Sequence, residues 1–104
     1  MKVIEVRVMF IDKYLSSTKL ELLYNVYSDE YIDNLDYDNF INIYNIFKNY
    51  NFYFIDDIIL NYLEIFTLNP RKVEMKILEL NKELGKDFIY IIGNDLRYLE
   101  KILD

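Results

Sequence analysis

The sequence predicts an α+β domain, with a mostly antiparallel sheet of four to five strands, two longer helices and a short C-terminal helix. Three observations carry that prediction. Apolar residues alternate twice in the first quarter of the chain. Two later segments carry apolar residues at helical spacing, and one run, DFIYII, is almost wholly apolar. The 104 residues suit a single domain, 1–104.

Lys2 to Ile11 places Ile4, Val6, Val8 and Phe10 on one face, and its β-branched content predicts a strand. Asp12 to Thr18 is a polar connection. Lys19 to Tyr27 alternates again through Leu20, Leu22, Tyr24 and Val26, which predicts a second strand antiparallel to the first. Ser28 to Asp36 reads as a loop or short turn. Asp36 or Asp38 then caps a helix from about Tyr37 to Asn49, because a short carboxylate accepts a free backbone N–H there. Phe40, Ile43, Tyr44 and Phe47 form its buried stripe.

Asn51 to Ile55 reads as a strand. Ile58 to Leu68 fits both periods, and its β-branched and aromatic residues tip it towards strand. Asn69-Pro70 opens a helix whose inner stripe is Val73, Ile77, Leu80 and Leu84, with Gly85 just past its end. Asp87 to Ile92 is expected to be a central strand broken by Gly93. Asn94 then caps a last short helix through Leu103, with Leu96, Leu99 and Leu103 turned inward.

Composition removes several kinds of chemistry. Without Cys there is no disulfide and no thiolate metal site. Without His the commonest general base and zinc ligand are gone, so Ser16-Ser17-Thr18 has no triad partner. Gly85 and Gly93 are the only glycines, which excludes a glycine-rich phosphate loop. Asp56-Asp57 reads as a polar turn or helix start rather than a Mg²⁺ site. No enzyme motif, metal or cofactor is expected. The start of the chain lacks a signal peptide, and no stretch is long and apolar enough to span a membrane. The expectation is therefore a soluble intracellular protein.

Charge points to contact. The net charge is −6, and residues 20–70 alone carry −8. That middle repels phosphate backbones, so direct nucleic-acid binding is disfavoured and a basic protein partner is favoured. The same middle holds most of the aromatic residues, and eleven tyrosines exceed what one small core can bury. Tyr suits interfaces through its rigid apolar body and hydrogen-bonding tip. The expected partner-binding residues are Asp29, Glu30, Asp33, Asp36 and Asp38, with Tyr31 and Tyr37 among them. Ile58 to Leu68 and DFIYII are expected to supply a homodimer seam. The plainer alternative is a homodimeric structural or regulatory module whose acidic face is merely solvated.

In length, lack of Cys, Ile/Tyr/Asn/Lys bias and tracts such as NFINIYNIFKNYNFYFIDD, the chain resembles the small proteins of rod-shaped archaeal viruses. Within that set it resembles the type I-D anti-CRISPR proteins, which are small, acidic and α+β. The resemblance implies a homodimeric, non-catalytic inhibitor in the cytoplasm of an infected host cell. Its implied partner is the large subunit of the type I-D CRISPR interference complex.

Overall fold

A computed structural model describes residues 11–104. Among them there is no strand: the chain is a bundle of short helices. The predicted α+β class, with its four to five strands, is therefore corrected to all-helical. The elements are α1 (Ser17–Val26), α2 (Asp29–Asp33), α3 (Tyr37–Asn49), α4 (Ile55–Asn61), a 3-10 turn (Leu63–Thr67), α5 (Pro70–Leu84), α6 (Phe88–Asn94), a second 3-10 turn (Leu96–Leu99) and α7 (Glu100–Leu103). No helix among the described residues is long and apolar enough to cross a membrane.

Residues 2–10 of the first expected strand lie outside the described residues. Ile11, its last residue, is helical and fully buried. The second expected strand is α1. Its alternation is a coincidence, because Leu20, Leu23, Tyr24 and Tyr27 recur at helical spacing and face the core. Leu22 and Val26, the other half of the alternating set, are 49% and 66% exposed. Ser16 supplies the start signal, accepting a hydrogen bond from the Lys19 N–H at 3.3 Å.

The helix over Tyr37–Asn49 forms with the predicted bounds. Asp36 caps it at the Asn39 N–H, 3.1 Å away, and Phe40, Ile43 and Phe47 are fully buried. It does not lead into a strand. Asn51 adopts a left-handed conformation at φ 66°, and the Phe52 N–H returns to the Phe47 carbonyl at 3.1 Å. With the Asn51 N–H on the Lys48 carbonyl at 3.0 Å, this is a Schellman ending. The Phe47 and Phe52 rings, 5.0 Å apart, seal it.

Ile58 to Leu68 is helical as well, as the end of α4 and the 3-10 turn. Ile55, Ile58 and Ile59 bury one face of α4, and Leu63, Ile65 and Phe66 point into the core. The helix opened by Asn69-Pro70 forms as expected and ends at Gly85, whose φ of 88° favours glycine. DFIYII is not a central strand but most of α6. Phe88 and Ile92, one turn apart, are buried there, while Tyr90 is exposed. The last cap is Asp95 rather than Asn94: its carboxylate accepts from the Arg97 N–H at 3.1 Å.

Helices α3 and α5 pack against each other at the centre. The first 3-10 turn lies against α3, α4 and α7, and α1 lies on α4. Phe66 is the shared wedge, stacked on Phe40 at 4.7 Å and tilted against Phe47 at 5.7 Å. Circular dichroism should give a predominantly helical spectrum. Phe66→Ala should cost about 3 to 5 kcal/mol in urea unfolding, since it removes a ring from the middle of the core. A loss below about 1 kcal/mol would place that ring outside the core.

Candidate functional site

The five predicted carboxylates are spread along α2, the link after it and the first turn of α3. Ser28 caps α2 through the Tyr31 N–H at 3.1 Å, and Asp29 and Glu30 occupy its first turn. Anions there complement the positive end of a helix. The chain leaves α2 through Asn34 and Leu35, and Asp36 begins α3 with Asp38 in its first turn. Asp29, Glu30, Asp36 and Asp38 are exposed.

Their roles differ, which the sequence alone does not reveal. Asp36 is the α3 cap, so removing it costs helix stability, about 1 kcal/mol. Asp33 is half-buried, and one of its carboxylate oxygens is sealed from solvent with no hydrogen-bond partner. The Tyr24 hydroxyl is sealed in the same way. Burial, followed by the charges of Asp33 and Asp29, pushes the Tyr24 phenol above its ordinary range. Asp29, Glu30 and Asp38 remain as the carboxylates free to meet a partner. Among the described residues none of the five forms an ion pair.

The two predicted tyrosines frame the junction. Tyr31 is 37% exposed and stacks on Tyr27 at 5.5 Å, while Tyr37 is 43% exposed. The junction is held from beneath. The Asn39 side chain donates to the Phe66 and Leu68 carbonyls, each at 2.9 Å, which ties α3 to the 3-10 turn.

Elsewhere, the tyrosine surplus serves a purpose the sequence reading missed. Tyr27 donates to Glu64 at 2.8 Å, Tyr50 to Glu74 at 2.9 Å and Tyr62 to Glu100 at 3.0 Å. Each ring leans on the core while its hydroxyl reaches a surface carboxylate on another element. Tyr27 also accepts from the Leu63 N–H at 3.1 Å, so it satisfies a free donor at the start of the 3-10 turn. These pairs lie 24 to 38 residues apart in sequence, so no local spacing signals them.

Asp56 and Asp57 sit in the first turn of α4, and Asp56 is bridged to Lys19. Burial works to raise the Asp56 carboxyl, but the hydrogen bond and charge of Lys19, with the backbone N–H groups of Asp56 and Asp57, together outweigh it and hold the carboxyl below its ordinary value. No group of three or more acidic side chains among the described residues is arranged to hold a metal ion. Ser16, from the SST run, is the α1 cap. The two segments expected to form a homodimer seam bury Ile58, Ile59, Leu63, Ile65, Phe66, Phe88 and Ile92 in the protomer's own core.

No protein-family model matches the chain, and comparison with curated proteins and with solved structures finds no match either.

Burial, and after it the hydrogen bond to Glu64, push the Tyr27 phenol up to about 12. The folded protein therefore holds that proton more tightly than the unfolded chain. Stability should be complete below about pH 10 and should fall as pH rises from there towards 12. Denaturant unfolding at stepped pH should record the fall, and Tyr27→Phe should make it smaller. A fall of equal size in the variant would remove Tyr27 as its source.

Proposed function

We propose that this protein is a non-catalytic inhibitor that docks the acidic junction of α2 and α3 on a cationic surface of a protein partner. The observation that carries the proposal is the uneven use of charge. Away from the junction, seven of the twelve described carboxylates are engaged, four in the pairs Lys19–Asp56, Lys76–Glu79, Arg97–Asp95 and Lys101–Glu83 and three by tyrosine hydroxyls, and the unpaired ones are scattered along the chain. At the junction five lie within ten residues without one cation among the described residues. Such a surface competes for Lys and Arg that otherwise meet phosphate. Tyr31 and Tyr37 would supply the apolar anchors. The type I-D CRISPR interference complex is the partner we propose, at its large subunit, because such a complex handles nucleic acid through basic grooves.

The test is binding of the purified protein to that complex at increasing salt. Affinity should fall as salt rises. The variant carrying Asp29→Asn, Glu30→Gln and Asp38→Asn should bind at least about tenfold more weakly, because it removes exposed charges and spares the Asp36 cap. Its thermal melt, taken alongside, should stay close to that of the parent. Undiminished binding by a folded triple variant would refute the proposal.

A second reading is a homodimeric interaction module with a solvated acidic face. Met75 and Leu78 favour it, since both are exposed on one face of α5. Two-fold packing of α5 on its own copy would cover them. Under this reading light scattering gives a dimer mass and Leu78→Lys gives a monomer; a monomeric parent protein would end it.

A further inference from the structure

A cleft of about 390 Å³ opens along α3 towards its end and shares no lining residue with the acidic junction. Tyr14, Tyr44, Phe52 and Tyr53 line it, together with Lys48 and Asp56. It is an open surface cleft floored by the buried Phe52 and Ile55. Its aromatic walls are fixed in advance. Tyr14 is held edge-on between Phe40 at 5.2 Å and Tyr44 at 4.7 Å. Phe52 is clamped by Phe47, Phe54 and Phe88 at 5.0 to 6.0 Å. Tyr53 packs on Phe54 at 4.9 Å, and its hydroxyl lies over Gly93, where an added Cβ would come within 2.5 Å. The left-handed turn at Asn51 lets the chain turn back between Lys48 and these rings.

The polar groups narrow the chemistry. Asp56 is already neutralised by Lys19. Lys48 forms no ion pair among the described residues and is the uncompensated charge of the lining. One ammonium beside a wall of edge-packed aromatic rings fits an anion attached to a flat ring. The chain's net charge of −6 penalises every further negative charge on a ligand, so a single anionic group is favoured over a dianion.

We propose that this cleft binds a small planar aromatic monoanion, its ring against Tyr44 and Tyr53 and its anionic group at the Lys48 ammonium. The anion can be a carboxylate or a phosphodiester. This cleft shares no lining residue with the acidic junction, and its failure leaves the protein-docking proposal untouched.

The experiment is a nuclear magnetic resonance titration of the full chain with indoleacetate, cyclic AMP, uncharged indoleacetamide and acetate. Saturable shifts at the residues lining the cleft are expected from one or both aromatic anions, and their relative strength identifies the preferred anion. The uncharged amide should bind about tenfold more weakly than its acid, because it lacks the charge-assisted contact. Acetate alone should not saturate. Lys48 is exposed, so Lys48→Met should keep the fold and weaken the acids by about tenfold, and Tyr53→Leu should weaken them through the lost ring. No saturation by either acid up to about 10 mM, equal binding by acid and amide, or unchanged binding by Lys48→Met would overturn the proposal.

Discussion

The fold depends on burying one phenylalanine. Phe66 sits on a short 3-10 turn that could not hold itself in place, and it is stacked on Phe40 and tilted against Phe47 of α3. A 3-10 turn leaves backbone carbonyls short of donors. Here Asn39 supplies two donations from the first turn of α3, one of them to the Phe66 carbonyl. The ring fixes the turn to the helix, and the amide fixes the helix start to the turn. The α2–α3 junction thus stands on a rigid base even though α2 is only five residues long.

That rigidity bears on the charges. Exposed carboxylates on a loose loop lose entropy when they bind, and the loss offsets the attraction they provide. At the junction Ser28 and Asp36 cap the two helices, so Asp29, Glu30 and Asp38 project from backbone that is already ordered. The helix dipoles stabilise these carboxylates in the free protein, which allows them to remain without cations. The tyrosines contribute a complementary economy. Three of them engage glutamates within the chain and so leave fewer phenols for an interface than the composition implies. Tyr31 and Tyr37 lie in the same stretch as the exposed acids.

How much of this was legible in the sequence depended on whether two periods competed. In α3 and α5 the 3-4 spacing stands alone, and Asp36, Asn69-Pro70 and Gly85 mark the boundaries, so both helices were readable. In α1 the residues Leu20 to Tyr27 satisfy period 2 and period 3.6 together, and only burial decides between them. DFIYII and Ile58 to Leu68 failed because Ile, Phe and Tyr favour strands locally. Packing on the hydrophobic core overrode that preference in segments too short for periodicity to settle. Asn51 was a missed signal, since Asn just past a helix end marks a left-handed stop. The site residues were visible as a cluster of charge, whereas the cap at Asp36, the sealed oxygen of Asp33 and the Lys19–Asp56 bridge arise from contacts that sequence does not encode locally.

The claim at the centre is that the free acids between Asp29 and Asp38 act as one contact surface. The most direct measurement is carboxylate carbon nuclear magnetic resonance of the protein titrated with an oligoarginine peptide at low and high salt. The expected result is shifts concentrated at Asp29, Glu30 and Asp38, saturating at low salt and lost at high salt. Shifts of equal size at Glu74, Glu79, Asp87 and Asp104 would mean that the protein answers cations with its whole surface, and the junction would have no special role.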